Sequence, residues 1–214
     1  MNKHQAIPPL LTTPDLLASH IDALIRLEPR FALVYRHTGL PKLRLHDDGF
    51  LQLYQIIVSQ QLSVAAASSI WQRLLDSGLD NEAALLSADG EQLRRQGLSR
   101  QKIRYIQSLA QHHIDYPSLW QLPDEAVIAI LTAVTGIGRW TAEIYCLFSL
   151  RRSDIFAAND LALQAAAQQL LQLSERPRER QMRTLAAKWS PYRSAAAYLL
   201  WAYYRVLKQR EGVL

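Results

Sequence analysis

Apolar residues recur three and four positions apart along most of the chain, which is the spacing of one face of a helix. Such stripes begin after Thr13, at Phe50, after Ser63 and after Ser99. Serine and threonine are favoured N-caps, so Thr13, Ser63 and Ser99 are predicted to cap the helices that follow them. Other helices are predicted at 91–95 and 123–133, from Pro29, Gly138 and Asp160, and from Ser190 to about Lys208. No segment alternates apolar and polar residues over the length of a strand. The pattern therefore predicts an all-α fold of roughly ten helices, forming a single domain over 1–214.

The composition agrees with a folded chain that has a real core. Of its 214 residues, 49% are hydrophobic and 20% are charged, which is ordinary for a globular protein. The single cysteine, Cys146, stands in an apolar run and is predicted to be a small buried hydrophobe, so disulfides and cysteine-ligated metal sites are excluded. No stretch has the length of a membrane span or the core of a signal peptide, so the cytoplasm is the expected location.

Positive charge is concentrated at the C-terminal end. Residues 174–214 contain nine Lys or Arg against three Asp or Glu, a net of +6, whereas 1–173 contain fifteen against sixteen, a net of −1. This asymmetry favours a polyanionic partner such as nucleic acid. It is also typical of solvated, arginine-rich helix faces, so charge by itself leaves both interpretations open.

Two glycines interrupt the helical pattern at residues 134–143, which read Val-Thr-Gly-Ile-Gly-Arg-Trp-Thr-Ala-Glu. Gly136 and Gly138 allow a tight turn that exposes the first amides of the next helix, and such amides suit an anion such as phosphate. An isolated glycine pair is more often a helix C-cap followed by an ordinary turn. The motif alone does not separate the two.

A second motif, Ala-Asn-Asp-Leu, follows at residues 158–161. From the residues alone, Asp160 is predicted to be an N-cap of the helix that begins there. A capping carboxylate is also held at a fixed angle beside amide donors, so a structural role and a chemical role are compatible.

These motifs together resemble a known family. Residues 131–145 resemble the helix-hairpin-helix of the DNA glycosylase superfamily, and 156–160 resemble the stretch that ends in its catalytic aspartate. Residues 56–63 and the Trp-x-Pro-Tyr-Arg-Ser pattern at 189–194 are similar to its alkyl-purine branch, the 3-methyladenine DNA glycosylases of type II. The resemblance spans roughly 50–205. It implies two helical lobes with a cleft between them, a hairpin at about 123–151 and no N-terminal β domain.

The resemblance also implies a set of site residues. Asp160 would be the catalytic carboxylate, and Gln61 would take the position that enters the duplex where a nucleotide leaves. The walls of the base pocket would be Trp140, Ile144 and Trp201. Residues that touch DNA would be Gln60, Gln61, Ser63, Gly136, Gly138 and Arg139. The family often holds a monovalent cation, Na⁺ or K⁺, on hairpin carbonyls, here those of Thr132 and Val134, and no cofactor is expected to be required.

Family members with a lysine at the Trp140 position form a Schiff base and cut the strand, so this chain is predicted to be monofunctional. It would hydrolyse the N-glycosidic bond of alkylated purines such as 3-methyladenine in double-stranded DNA, as a monomer without membrane association. Two alternatives remain at this point. One is a helix-hairpin-helix module that binds DNA without chemistry, and the other is a glycosylase for deaminated or oxidised bases.

Overall fold

The computed structural model describes residues 9–210, and all regular secondary structure in that range is helical. A single isolated antiparallel bridge joins Leu10 and Arg152. The all-α prediction is therefore confirmed, with thirteen helices rather than ten in the described range. None of these helices combines the length and the apolar character that crossing a membrane requires.

The described chain divides into two compact units. The first, His46–Tyr145, contains the helices that lead to the glycine-rich turn. Its helices are α3 (Phe50–Ser59), α4 (Val64–Asp76), α5 (Glu82–Ser87), α6 (Gly90–Arg95), α7 (Arg100–Gln111), α8 (Tyr116–Leu119) and α9 (Asp124–Thr132).

The second unit is built from two separate parts of the chain, 9–45 and 146–210. Helix α10 (Arg139–Phe148) begins in the first unit and ends in the second. The remaining helices of the second unit are α1 (Pro14–Leu27), α2 (Phe31–Thr38), α11 (Leu161–Leu171), α12 (Glu179–Ala187) and α13 (Arg193–Arg210).

The predicted N-caps are confirmed. The side-chain oxygens of Thr13, Ser63 and Ser99 each accept a hydrogen bond from the backbone N–H three residues later, at 3.2, 3.3 and 3.2 Å. Each bond satisfies one of the amides that a helix leaves unpaired at its N-terminus. Local sequence chemistry therefore fixes where α1, α4 and α7 begin.

The C-terminal region differs from the prediction. The last helix begins at Arg193 rather than Ser190, because the Tyr192 N–H donates to the Trp189 carbonyl at 2.7 Å and closes a turn first. Helix α12 was not predicted, since its sequence is mostly polar and buries only Met182 and Ala186. Its polar contacts are local: Gln181 Oε1 accepts the Arg178 N–H at 3.0 Å, and Arg183 pairs with Glu179 at 2.7 Å one turn away.

Helix α7 is the centre of the first unit. It packs against α3, α5 and α6. Its buried face is the predicted stripe of Ile103, Ile106, Leu109 and Ala110. Burying one apolar stripe in this way leaves the other faces of α7 available for contacts with loops.

Helix α13 is the centre of the second unit and packs against α1, α2 and α11. Three consecutive alanines, at 195–197, are fully buried and permit close approach of the neighbouring helices. Beside them, Trp189 is buried in edge contact with Phe31 and Phe156, at ring-centroid distances of 5.2 and 5.5 Å. Cys146 is buried, as predicted.

An ion pair fixes the start of α13. Arg193 donates from Nε to Asp154 Oδ1 at 2.8 Å and from Nη2 to Oδ2 at 3.0 Å, and the Ser190 hydroxyl donates to Oδ2 at 2.7 Å. This two-pronged geometry is the strong form of an arginine–carboxylate contact. Burial raises the pKa of Asp154, but the hydrogen bonds and charge of Arg193, together with Ser190, outweigh it and hold that pKa below its usual value.

The low pKa of Asp154 makes part of the stability depend on pH. A depressed pKa contributes stability that is present above the unfolded value of about 3.9 and is lost as pH falls through the folded value. Asp154→Asn is therefore expected to lower the unfolding free energy at pH 7 by about 2 kcal/mol. The difference from the unsubstituted protein should shrink steadily below pH 4, as measured by urea unfolding at several pH values. A difference that stays constant down to pH 2 would contradict this assignment.

Candidate functional site

The glycine-rich turn joins α9 to α10 as a helix-hairpin-helix. Gly136 adopts φ +96°, a conformation that side chains disfavour, and a Cβ built on it would lie 2.2 Å from Cγ of Tyr105. Gly138 instead precedes α10, accepts the Ala142 N–H at 3.1 Å and has open space where a Cβ would stand. The N–H groups in the first turn of a helix point out of its N-terminus and favour an anion. The turn thus has the geometry of a phosphate-binding hairpin.

Arg139, predicted to touch DNA, is held within the hairpin. Its Nη2 donates to Glu125 Oε1 at 2.6 Å and its Nε donates to Glu143 Oε1 at 3.0 Å. The hydrogen bond to Glu125 raises the pKa of the guanidinium, which stays charged. Glu143 is only 2% exposed, so Arg139 neutralises a buried carboxylate. A phosphate contact by Arg139 stays a prediction and would have to share the guanidinium with these carboxylates.

The loop at 59–63 lies directly against the hairpin. Gln60 Nε2 donates to the Gly136 carbonyl at 3.1 Å, and the Ser63 hydroxyl caps α4. Gln61 is exposed and adopts φ +57°, within a turn that the Leu62 N–H closes by donating to the Ser59 carbonyl at 3.2 Å. Of the predicted DNA contacts, Gln60 is therefore brought beside Gly136, and Gln61 and Ser63 follow it in the same loop. Gln60 and Ser63 also make internal hydrogen bonds.

Two apolar side chains in this region were missed by the sequence analysis. Leu62 is 39% exposed and Val64 is 88% exposed, on either side of the Ser63 cap. Single exposed apolar side chains are common on protein surfaces, but these two flank the polar loop and give it an apolar border. The signal in the sequence that could have identified them was two aliphatic residues next to a polar loop, at positions outside any predicted buried helix face.

The face of α10 predicted to meet a base is partly open. Trp140 is 39% exposed and Ile144, one turn later, is half-buried. Tyr145 is fully buried and its hydroxyl accepts the Gly49 N–H at 2.8 Å, so it belongs to the core of the first unit. Trp140 is the indole in this helix that can stack on a planar ligand.

Asp160 is the N-cap of α11, as predicted. Its Oδ1 accepts the N–H groups of Ala162 and Leu163 at 2.9 and 3.0 Å, and its own N–H donates to Ala157 at 2.9 Å. Buried Gln164, which the sequence analysis did not single out, donates to the Ala158 carbonyl at 2.8 Å and fixes the preceding turn. The carboxylate is therefore positioned by backbone on both sides.

Trp201, the other predicted wall of the pocket, lies on α13. It is half-buried and stacks on Phe148, with ring centroids 5.5 Å apart and planes inclined by 30°. Tyr198 meets the same indole edge-on at 6.5 Å. One part of Trp201 is thus held by aromatic neighbours, which fixes the orientation of the ring.

The hairpin carbonyls predicted to hold a cation lie at the end of α9 and in the turn that follows it. The Val134 carbonyl accepts the Ile137 N–H at 3.1 Å, and an oxygen with one hydrogen bond keeps a second lone pair for a ligand. Among residues 9–210, no group of three or more His, Cys, Asp or Glu side chains could hold a metal ion. The cation at Thr132 and Val134 stays a prediction.

The hairpin between α9 and α10 and the capping aspartate of α11 are the two motifs by which the sequence resembles the helix-hairpin-helix DNA glycosylases. Residues 54–191 match the family model of the HhH-GPD superfamily of base excision DNA repair proteins, and the chain belongs to that superfamily. The match includes the loop at 59–63, the hairpin and Asp160.

Individual relatives place the chain more closely. It is 31% identical over 159 residues to the alkylbase DNA glycosidase-like protein mag2 of Schizosaccharomyces pombe, covering 70% of this chain and 75% of the relative. The structure is similar to DNA-3-methyladenine glycosidase from Bacillus halodurans, with TM-score 0.80, 30% identity and coverage of 89% and 91%. It is also similar to the S. pombe 3-methyladenine DNA glycosylase Mag1 in complex with abasic DNA, with TM-score 0.71, 27% identity and coverage of 86% and 95%.

Proposed function

We propose that this protein is a monofunctional DNA glycosylase that hydrolyses the N-glycosidic bond of alkylated purines, 3-methyladenine among them, in base excision repair. The observation that carries the proposal is Asp160, whose carboxylate is fixed by two backbone amides at the N-terminus of α11. Relatives named as 3-methyladenine glycosylases support the substrate class. The partner is double-stranded DNA, and the protein acts as a monomer.

One carboxylate is sufficient for this reaction. Breaking the N-glycosidic bond builds positive charge on the deoxyribose, and a fixed carboxylate stabilises that charge and orients water toward the anomeric carbon. An alkylated purine such as 3-methyladenine is cationic while it is attached to the sugar. It therefore departs as a neutral base without being protonated, and no general acid is needed. Of the carboxylates that precede Asp160 in the sequence, Asp154 is bound by Arg193 and Glu143 by Arg139.

Selectivity comes from the charge of the alkylated base. An electron-poor base stacks on an indole face more strongly than a normal base does, by roughly 0.5 to 2 kcal/mol. Trp140, which is 39% exposed, offers an indole face for this, and Ile144 lies one turn later on the same helix. A damaged base also costs less to extrude from the duplex, which adds to the discrimination.

The hairpin binds DNA without reading its sequence. Backbone amides at Gly136 and Gly138 contact phosphates, and a monovalent cation on the Thr132 and Val134 carbonyls would add positive charge there. Such contacts suit an enzyme that must search any sequence, and they weaken with salt.

The proposal that the enzyme has no lyase activity is supported by the sequence of α10. Its residues 139–148 contain no lysine, and Trp140 occupies the position from which a lysine would attack the sugar. We therefore expect base release from methylated duplex DNA to leave intact abasic strands. Free alkylated purine should appear in chromatography of the supernatant, and strand breaks should appear on a denaturing gel only after alkali.

Two results would overturn this function. If the protein binds duplex DNA yet releases nothing from methylated substrate, it is a binding module. If strands break before alkali, the monofunctional assignment is wrong. Duplexes containing hypoxanthine, uracil or 8-oxoguanine, run in parallel, test the alternative of deaminated or oxidised bases.

A further inference from the structure

Side chains of α7 at three-residue intervals contact the segment that leads into the loop at 59–63 and the hairpin turn. The first is Lys102, whose Nζ donates to the Val58 carbonyl at 2.5 Å, close to the last turn of α3. A cation at this carbonyl is favourable because the C-terminal end of a helix carries a partial negative charge. The loop at 59–63 departs from this point, so Lys102 holds the base of the loop.

Tyr105, one turn later, lies directly beneath the hairpin turn. Its ring is close enough to Gly136 that Cβ, Cγ and Cδ2 would all lie within 2.7 Å of an added methyl group. Gln101 orients the ring by donating to its hydroxyl. Since Gly136 has no side chain, the backbone of the turn rests on the aromatic ring itself.

Ser108 completes the row. Its hydroxyl accepts the N–H of Thr135, the residue before Gly136, at 3.1 Å. Gln60 then joins the two segments directly by donating to the Gly136 carbonyl at 3.1 Å. The loop and the hairpin turn are thus each bound to α7 and bound to each other.

The ammonium group of Lys102 is bound by the protein itself. Lys102 is half-buried and burial lowers its pKa, whereas Arg100 and Arg104 on the same helix are exposed. A polar cavity of about 50 Å³ lies between this helix and the loop, lined by Gln60, Gln61, Ser99, Gln101, Lys102 and Tyr105. The loop therefore lies against α7, and the cavity between them is too small for the loop to move far toward the helix.

We propose that Lys102 and Tyr105 are positioning residues that set how far the loop at 59–63 enters the duplex when the hairpin binds. Because α7 fixes both segments, binding of phosphates at the turn and entry of Gln61 into the stack occur as one event. This inference rests on the proposed function, since nucleotide extrusion has a purpose only in an enzyme that acts on a base.

The test measures entry of the loop separately from base release. A duplex with a tetrahydrofuran abasic site beside 2-aminopurine reports unstacking as fluorescence, read at saturating protein. Tyr105→Leu and Lys102→Met are expected to lower both the fluorescence amplitude and the single-turnover release from methylated DNA about tenfold, since displacing a positioned group by only about 1 Å has a large effect on a reaction rate. Affinity for undamaged duplex should change by less than about twofold, because the hairpin amides remain.

Two control variants separate positioning from charge and from general stability. Tyr105→Phe keeps the ring under Gly136 and should restore the amplitude. Arg104→Met removes one positive charge from the exposed face of the same helix and should leave the amplitude unchanged. Thermal melting checks folding, and Lys102→Met carries the test if Tyr105→Leu does not fold.

Full amplitude in Tyr105→Leu and Lys102→Met overturns the inference, as does equal loss in Lys102→Met and Arg104→Met or failure of Tyr105→Phe to restore. A normal fluorescence response without base release by the unsubstituted protein would reject the proposed function instead. The two failures are therefore distinguishable.

Discussion

Asp160→Asn is expected to reduce base release from methylated duplex DNA by at least about 100-fold, the usual effect of removing one fixed electrostatic stabiliser. The loss follows from removing the negative charge that opposes the developing charge on the sugar. Asparagine is as good an N-cap as aspartate, so the two hydrogen bonds to Ala162 and Leu163 can persist. The measurement is single-turnover release at saturating enzyme, together with urea unfolding.

Asp160→Ala is the matched control for the cap. It should be as inactive as Asp160→Asn but less stable by about 1 kcal/mol, since alanine cannot cap α11. If both variants are inactive but only Asp160→Ala is less stable, the loss of activity comes from the missing carboxylate and not from a loss of folding. Release by Asp160→Asn within a few-fold of the unsubstituted rate would show that Asp160 serves only as a cap.

Gly136→Ala is expected to lower the unfolding free energy by about 2 to 4 kcal/mol. Part of this cost is the strain of φ +96° for a residue with a side chain, and part is the collision of the new methyl with Tyr105. The turn must shift to accommodate it, so affinity for an abasic duplex should fall on the order of tenfold, or about 1.4 kcal/mol. Chemical denaturation and fluorescence anisotropy measure the two effects.

Gly138→Ala is the matched control for stability, two residues away in the same turn. Its Cβ would enter open space and its backbone is not in the left-handed region, so the unfolding free energy should change by less than about 0.5 kcal/mol. Equal destabilisation by the two substitutions would show that the contact with Tyr105 does not hold the turn.

Local chemistry explains which features were predictable. Caps act through the backbone amide two or three residues away, so Thr13, Ser63, Ser99 and Asp160 could be assigned from the sequence. The stripe on α7 was predictable because an apolar face repeats at the helical period. Helix α12 lacks such a stripe and was missed.

The surroundings of the site residues could not be predicted in the same way. The bond from Gln60 to Gly136 joins residues 76 positions apart, and Arg139 pairs with Glu125 across 14 positions as well as with Glu143 at helical spacing. Only the last of these pairs is visible as a local pattern. The others depend on which helices pack together.

The sequence by itself determined the all-α class, the starts of several helices and the capping role of Asp160, because these depend on periodicity and on contacts within a few residues. The hairpin was expected from the resemblance to a known family, because the glycine motif alone left an ordinary turn open. Tertiary structure decided that Arg139 also pairs with Glu125, that Tyr105 supports Gly136 and that Lys102 is turned onto the end of α3. These arrangements arise only when distant segments pack, since a charge or a ring acquires its role from the groups that surround it in space.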